Sequence, residues 1–152
     1  MPAKVVQPGA MFKMPVGSDR FAYAVMLSES PHVAFYAEDT TFDDEGSPNS
    51  DPLLIVPVER SAYARGQWGK PIHLVPEEDR ASIPKFFWQN ATNKWDCRIV
   101  DPISRRKIVA RPEDCTELER EAAWAQVHID SRIIDTLTGR PNGFAESLRV
   151  KL

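Results

Sequence analysis

Apolar and polar positions alternate in short blocks along the start of the chain. Two apolar stretches lie within 8–27 and a third covers 32–36, and each has the length of a strand rather than of a helix. Gly17, Ser18 and Asp19 separate the first two stretches, and these residue types tolerate the backbone of a tight hairpin turn. The pattern predicts a curled antiparallel meander of three strands joined by two tight turns.

Shorter apolar segments continue to residue 110 and predict further strands. They cover 53–58, 72–75, 86–89, 95–100 and 107–110. The first of these segments is almost continuously apolar, which is typical of a strand buried on both faces, and its Pro57 indicates a sheet edge or a bulge. Together with the meander, about six to eight short strands at close spacing favour a small sandwich or barrel.

The last third of the chain changes period. From Cys115 to Ile133 apolar residues recur every three or four positions, which predicts a helix, and Thr116 with Glu119 fits a capping box at its start. β-Branched residues disfavour helix near 127–130, so one helix, two helices or some strand remain open.

The predicted fold is α+β and mainly β. We expect a single domain over 1–152, because a chain of 152 residues with 42% hydrophobic residues can build one core. A small curled antiparallel β-barrel or sheet of SH3-like type would occupy 5–110. A helical segment over 112–139 and a tail over 140–152 would follow it.

Composition bears on partners and compartment. The formal net charge of -3 disfavours nonspecific attraction to nucleic acid, so a partner recognised by charge is expected to be basic. Cys97 and Cys115 lack metal-ligand spacing and are interpreted as reduced thiols, with a disulfide left open. The sequence shows neither a signal peptide nor a membrane span, which predicts a cytoplasmic protein without a membrane partner.

No pattern of catalytic residues is present. His32, His73 and His128 lie far apart in the sequence, and there is no nucleophile elbow, Walker loop or dinucleotide glycine fingerprint. We therefore predict no catalytic residue, no metal and no cofactor, and a protein that is not an enzyme. An active site whose residues converge only in the fold stays open.

The acidic loop over 37–52 and the acidic segment that begins at Glu77 are the candidate binding elements. Clustered carboxylates can steer a basic partner, or they can simply solubilise a loop. Calcium binding is disfavoured, because the loop lacks the alternating oxygen ligands of a calcium site. Trp68, between two glycines, is interpreted either as an exposed anchor or as a core residue. The residues predicted to contact a partner are Glu38, Asp39, Asp43, Asp44, Glu45, Trp68, Glu77, Glu78 and Asp79.

A basic group near the middle of the chain supports a rival function. Its members are Arg98, Arg105, Arg106, Lys107 and Arg111. With Trp88 and Trp95 nearby, it could form a nucleic-acid-binding surface or a regulatory small-barrel module. The alternative is that the tryptophans belong to the core and the basic residues form a polar turn.

The opening strands resemble the bacterial polymorphic-toxin immunity protein family numbered twenty-six. The matching residues are Gly9, Phe12-Lys13-Met14-Pro15-Val16, Gly17, Phe21-Ala22-Tyr23-Ala24-Val25-Met26-Leu27 and Val33-Ala34-Phe35-Tyr36. A weaker similarity runs from Pro84 to Ile99. Ala22 and Ala24 depart from the family pattern, which has glycines there, and the last third lies outside the similarity.

The resemblance implies a fold and a class of activity. Proteins of this family are small, non-enzymatic and often acidic, and each binds a cognate toxin domain to block it. By this resemblance the chain would be a cytoplasmic immunity protein that neutralises an antibacterial toxin, encoded next to it, through a stoichiometric complex. The matching motifs are structural and do not name the toxin.

Overall fold

The computed structural model of the protein describes residues 7–28 and 31–152. The fold is α+β and mainly β. The strands are β1 Ala10–Val16, β2 Arg20–Met26, β3 His32–Tyr36, β4 Leu54–Pro57, β5 His73–Leu74, β6 Phe86–Gln89, β7 Cys97–Val100, β8 Lys107–Ala110 and β9 Glu119–Arg120. The α-helices are α1 Gln126–Leu137 and α2 Gly143–Ser147, and the 3-10 helices are Arg60–Ala62, Glu77–Asp79 and Pro112–Cys115.

Contacts between Cα atoms divide the chain into two compact units. The first unit comprises the residues up to Ser82 together with Ala123–Pro141. The second unit comprises Ile83–Ala122 and Asn142–Leu152. The last third of the sequence is therefore shared between the units and does not form one helical extension.

The first unit contains an antiparallel sheet with strand order β4-β3-β2-β1-β5. The predicted meander is confirmed, and its first turn uses Gly17 at a φ of 62°. The second predicted turn includes residues 29 and 30, which lie outside the described residues. Phe12, Ala24 and Phe35 are in register across β1, β2 and β3, and all three are fully buried.

Both faces of this sheet are covered. On one face Trp68 packs edge-on against Phe12 and Phe35. On the other face a buried cluster of Met11, Val25, Ala34, Tyr36 and Val75 is covered in part by Phe42. Burial of apolar area on two faces is the main source of stability for such a sheet.

Strand β4 is a sheet edge, as Pro57 indicates, but it is not buried on both faces. Its side chains alternate between buried and half-buried, with Leu54 and Val56 buried and Ile55 half-buried. A continuous apolar run does not distinguish a central strand from an edge strand, because the neighbouring strand is set by distant residues.

The second unit contains a four-stranded sheet with order β8-β7-β6-β9. The strands predicted at 86–89 and 107–110 are confirmed, and β7 forms most of the segment predicted at 95–100 and pairs with both of them. Strand β9 joins β6 in parallel, with Phe86 opposite Glu119 and Phe87 opposite Arg120. The described strands thus form two sheets and no closed barrel, and the barrel prediction is wrong in that respect.

The helix begins later than predicted. Cys115 packs with Phe87 and Cys97, and Leu118 covers that cluster. The three-residue spacing of Cys115 and Leu118 therefore places both side chains against the second sheet and does not indicate a helix. The predicted capping box at Thr116 and Glu119 is wrong, because Glu119 begins strand β9.

Helix α1 instead runs without interruption through 127–130, the segment where β-branched residues disfavour helix. Ile129 and Ile133 are fully buried on one side of it. Burial of an isoleucine stabilises by about 1.5–3 kcal/mol, which exceeds the few tenths of a kcal/mol that β-branching costs. In the described part of the chain neither α-helix is long and apolar enough to cross a membrane.

Candidate binding site

The acidic loop between β3 and β4 forms a small hairpin with Asp43 at its tip. The Asp43 N–H donates to the Ser47 carbonyl over 2.9 Å. One Asp43 carboxylate oxygen accepts the N–H groups of Glu45 at 3.0 Å and Ser47 at 2.9 Å. These backbone hydrogen bonds hold the pKa of Asp43 below its usual value, and the bond from the Ser47 N–H contributes most. Asp43 therefore stabilises the loop, because its carboxylate already accepts hydrogen bonds from the backbone of the loop.

The base of this hairpin is held to the first sheet. The Thr41 N–H donates to Asn49 Oδ1, and the Asn49 N–H donates to the Thr41 carbonyl, each over 2.9 Å. The Phe42 ring packs edge-on against Tyr23 at 5.1 Å and Tyr36 at 5.8 Å between ring centroids. The loop is solvated, as predicted, but it is anchored by an aromatic side chain and by paired backbone bonds.

A groove lies between the second half of the acidic loop and the 3-10 helix Glu77–Asp79. Its volume is about 400 Å³. The lining residues are Tyr36, Ser47, Pro48, Asn49, Ser50, Asp51, Pro52, Glu78, Asp79 and Ala81. The sequence stretches 47–52 and 78–81, which are separated along the chain, are brought together only by the fold.

The groove is acidic. Asp51, Glu78 and Asp79 contribute three carboxylates to its lining, and no lysine or arginine lines it among the described residues. Burial raises the pKa of the Tyr36 phenol, and the charge of Asp51 adds to that increase. This arrangement favours a cationic group, such as a lysine or arginine side chain, over an anion.

The predicted contact residues divide by role. Glu78 and Asp79 line the groove, whereas Asp51 and Tyr36, which also line it, are not among the predicted residues. Asp51 lies within the acidic loop, so loop composition could have indicated it, but nothing in the sequence marks Tyr36. The other predicted contact residues do not line the groove, and they are Glu38, Asp39, Asp43, Asp44, Glu45, Trp68 and Glu77.

The outer acidic residues are not equivalent. Glu38 is neutralised by Arg20, whose Nε and Nη2 both donate to Glu38 Oε1 at 3.0 and 2.9 Å. Asp39, Asp44 and Glu45 are exposed. These three carboxylates add negative charge to the surface of the loop, and none of them forms an ion pair with a described residue.

Trp68 is a core residue and not an exposed anchor. Its ring is 3% exposed and packs at 5.6 to 6.0 Å from the rings of Phe12, Phe35 and Tyr63. The Trp68 Nε1–H donates to Gln126 Oε1 over 2.6 Å. The flanking glycines turn the loop so that the indole points into the first sheet, and the prediction of Trp68 as a surface contact is therefore corrected.

The second unit exposes the two other predicted tryptophans. Trp88 is 37% exposed and Trp95 is 65% exposed, so assigning them to the core is wrong. Trp88 stands opposite Arg98 in the β6–β7 pair. The Lys94 Nζ lies 4.8 Å from the centroid of the Trp95 ring. The basic group of the rival function thus has aromatic neighbours at the surface.

Reactive side chains are not gathered in the groove. Of the residues that the structure describes, no three His, Cys, Asp or Glu side chains are placed to hold a metal ion. Cys97 and Cys115 are buried free thiols, and burial raises the pKa of both. The groove itself offers carboxylates, hydroxyls, an amide and one phenol. Such a lining suits recognition of a cation by charge and hydrogen bonds.

Comparison with known proteins identifies no relative. No family model, no curated protein and no solved structure matches this chain. Function is therefore inferred from the groove and from the residues of the opening strands.

Proposed function

We propose that this protein is a cytoplasmic immunity protein that binds and neutralises a cognate antibacterial toxin domain by forming a stoichiometric complex. The carrying observation is the acidic groove, in which Asp51, Glu78 and Asp79 line one recess. In this proposal the groove receives a basic side chain of the toxin. The resemblance of the residues of β1 to β3 to the opening strands of that immunity family also supports the proposal.

The charge of the first unit supports a basic partner. Its sequence contains fourteen acidic and nine basic residues. An excess of negative charge around a recess attracts a cationic surface and accelerates association. Many toxin domains that act on nucleic acid must carry such a surface to bind phosphates. An acidic inhibitor would cover that surface.

The fold also supports a groove that is formed before binding. Its loop is held by the Asp43 bonds, by the Thr41–Asn49 pair and by Phe42 against the sheet. A recess that needs little ordering on binding loses less conformational entropy when the complex forms.

The test is binding of the full chain to the toxin encoded next to it. We expect a one-to-one complex in pull-down and in titration calorimetry. Glu78→Lys should lower the association rate about threefold or more at low salt, because it reverses one charge in the recess. Glu59→Lys is the matched control, since Glu59 is an exposed glutamate of the same unit outside the groove lining.

The loop tip supplies a second pair of variants. Asp44→Lys with Glu45→Lys should slow association without unfolding the loop, because both side chains are exposed. Asp43 is left unchanged, since its carboxylate holds the loop. Failure to form a complex would refute the proposal. Turnover by the isolated protein on the toxin's modified target would refute inhibition by binding.

A further inference from the structure

Strand β8 forms one edge of the sheet in the second unit. The strand order β8-β7-β6-β9 gives β8 a single neighbour, β7, among the described residues. The outer side of an edge strand presents backbone N–H and C=O groups that can pair with another extended segment. Natural edges of this kind are short, charged or covered.

The direction of the backbone groups on β8 follows from the hairpin. The Asp101 N–H donates to the Arg106 carbonyl over 2.9 Å, which makes this the first bonded pair beyond the turn. Bonded and non-bonded pairs alternate along an antiparallel ladder. Ile99 pairs with Ile108 two positions along the ladder from Asp101 and Arg106, so Ile99 and Ile108 also form a bonded pair. The backbone groups of Ile108 therefore face β7, and those of Lys107 and Val109 face outward.

The side chains of this edge are apolar and accessible. Ile108 is 61% exposed and Val109 is 76% exposed, and they lie on opposite faces of the strand. Val109 is in register with the half-buried Arg98, and Arg98 with the exposed Trp88, so one partly exposed row crosses three strands. An added strand would extend this row and bury both aliphatic side chains.

The positive charge around the edge favours an added segment that carries negative charge. Within 98–111 there are five basic residues, Arg98, Arg105, Arg106, Lys107 and Arg111, and a single acidic residue, Asp101. The Asp101 carboxylate accepts the N–H groups of Ile103 at 2.9 Å and Ser104 at 3.2 Å, so it is engaged in the turn. The ion pairs of Arg98 and Arg111 with nearby aspartates are long, at 3.5 and 3.7 Å.

We propose that the outer edge of β8 binds an extended acidic segment of another protein as an additional strand. Its central apolar residues lie beside Ile108 and Val109, and its carboxylates face Lys107 and the flanking arginines. This inference is independent of the acidic groove, which belongs to the first unit and favours a basic partner.

Two other occupants fit less well. A second copy of the chain, paired antiparallel about Val109, would place Lys107 of each copy opposite Arg111 of the other, and like charges directly opposite destabilise a strand pair. Single-stranded nucleic acid could stack on Trp88, but it has no peptide backbone to satisfy the outward groups of Lys107 and Val109.

The test measures binding of a labelled peptide to the full chain by fluorescence anisotropy. The probe has a Val-Ile-Val centre flanked on both sides by glutamates. One control peptide has proline at the centre, which removes a ladder donor, and another has lysines as flanks. We expect the probe to bind more weakly as salt increases, and each control peptide to bind about tenfold or more weakly than the probe.

Protein variants separate backbone pairing from charge. Val109→Pro removes an outward N–H and should weaken probe binding about tenfold while the chain remains folded. Ile108→Pro is the matched control, because it removes an N–H bonded to β7 and should lower the unfolding midpoint. Arg106→Glu with Lys107→Glu should weaken binding about tenfold at low salt and keeps the test valid if both proline variants unfold.

Three results would overturn the inference. The first is absence of probe binding, which would mean that the basic residues only protect the edge from aggregation. The second is equal binding of the probe and the proline peptide, which would indicate adsorption by charge alone. The third is displacement of the probe by single-stranded oligothymidylate at lower concentration, which would favour the nucleic-acid surface.

Discussion

Replacing Trp68 tests whether the first sheet is built as described. Trp68→Phe keeps an aromatic ring but removes the indole N–H that donates to Gln126 Oε1 over 2.6 Å. It also removes part of the ring that packs against Phe12, Phe35 and Tyr63. Trp68→Ala removes the whole side chain from a site that is 3% exposed.

The size of the effect follows from the interactions that each substitution removes. Leaving the Gln126 acceptor without its donor costs about 1–3 kcal/mol. The smaller phenyl ring leaves a partial cavity and packs less tightly, which adds about 1 kcal/mol or more. We therefore expect Trp68→Phe to lower the free energy of unfolding by about 2–4 kcal/mol. Trp68→Ala should cost about 3–5 kcal/mol, a large part of the stability of a small protein.

The assay is urea unfolding followed by far-ultraviolet circular dichroism. Trp95→Phe is the matched control, because Trp95 is 65% exposed and the contact of Lys94 with its ring stabilises by less than about 1 kcal/mol. We expect the control to change the free energy of unfolding by at most about 0.5 kcal/mol. A Trp68→Phe protein within about 0.5 kcal/mol of the parent, or one that loses no more stability than the control, would refute the packing of Trp68 on the first sheet.

Two further predictions concern Asp130 and Gly46. Burial raises the pKa of Asp130, although Gln126 donates a hydrogen bond to its carboxylate, so the folded chain keeps the proton to higher pH than the unfolded chain. Stability should therefore decrease as pH rises from the ordinary value of 3.8 through the raised pKa, and Asp130→Asn should remove that decrease in urea midpoints; an unchanged slope would contradict the reasoning. Gly46→Ala should cost about 1–3 kcal/mol, because φ is 94° and the added methyl group would clash with the His73 ring. Gly69→Ala, at a φ of 77° with open space around it, measures the backbone strain alone, and an equal cost for both would exclude the His73 contact.

Local patterns predicted the strands well because strands and tight turns are set by neighbouring residues. Gly17 with its flanking apolar runs was sufficient for the β1–β2 hairpin. Prediction failed where a residue pairs with a strand that is distant in the sequence. Glu119 and Arg120 pair with β6, more than thirty positions away, and no local signal distinguishes that pairing from a helical start.

The candidate site was only partly predictable, for the same reason. Acidic composition indicated Glu78 and Asp79, but their approach to Asp51 depends on the acidic loop reaching β5, where His73 Nε2 lies 3.4 Å from the Glu45 carbonyl oxygen. The sequence left the burial of the tryptophans open. Trp68 lies in a glycine-containing loop and is buried, whereas Trp88 lies in a strand and is exposed. Residue type and local structure do not determine burial, which is set by what packs on each face.

Net charge is a poor guide to partners when acidic and basic residues are segregated along a fold. The total of -3 disfavours phosphate-binding and acidic partners, but the second unit has ten basic and eight acidic residues in its sequence, against nine and fourteen in the first. Because charges are screened beyond about 8–10 Å at physiological salt, a partner responds to the local excess and not to the total. The acidic groove and the basic edge of β8 are therefore expected to select partners of opposite charge. Glu78→Lys should weaken the basic partner's binding and leave the acidic peptide unaffected, whereas Arg106→Glu with Lys107→Glu should do the reverse.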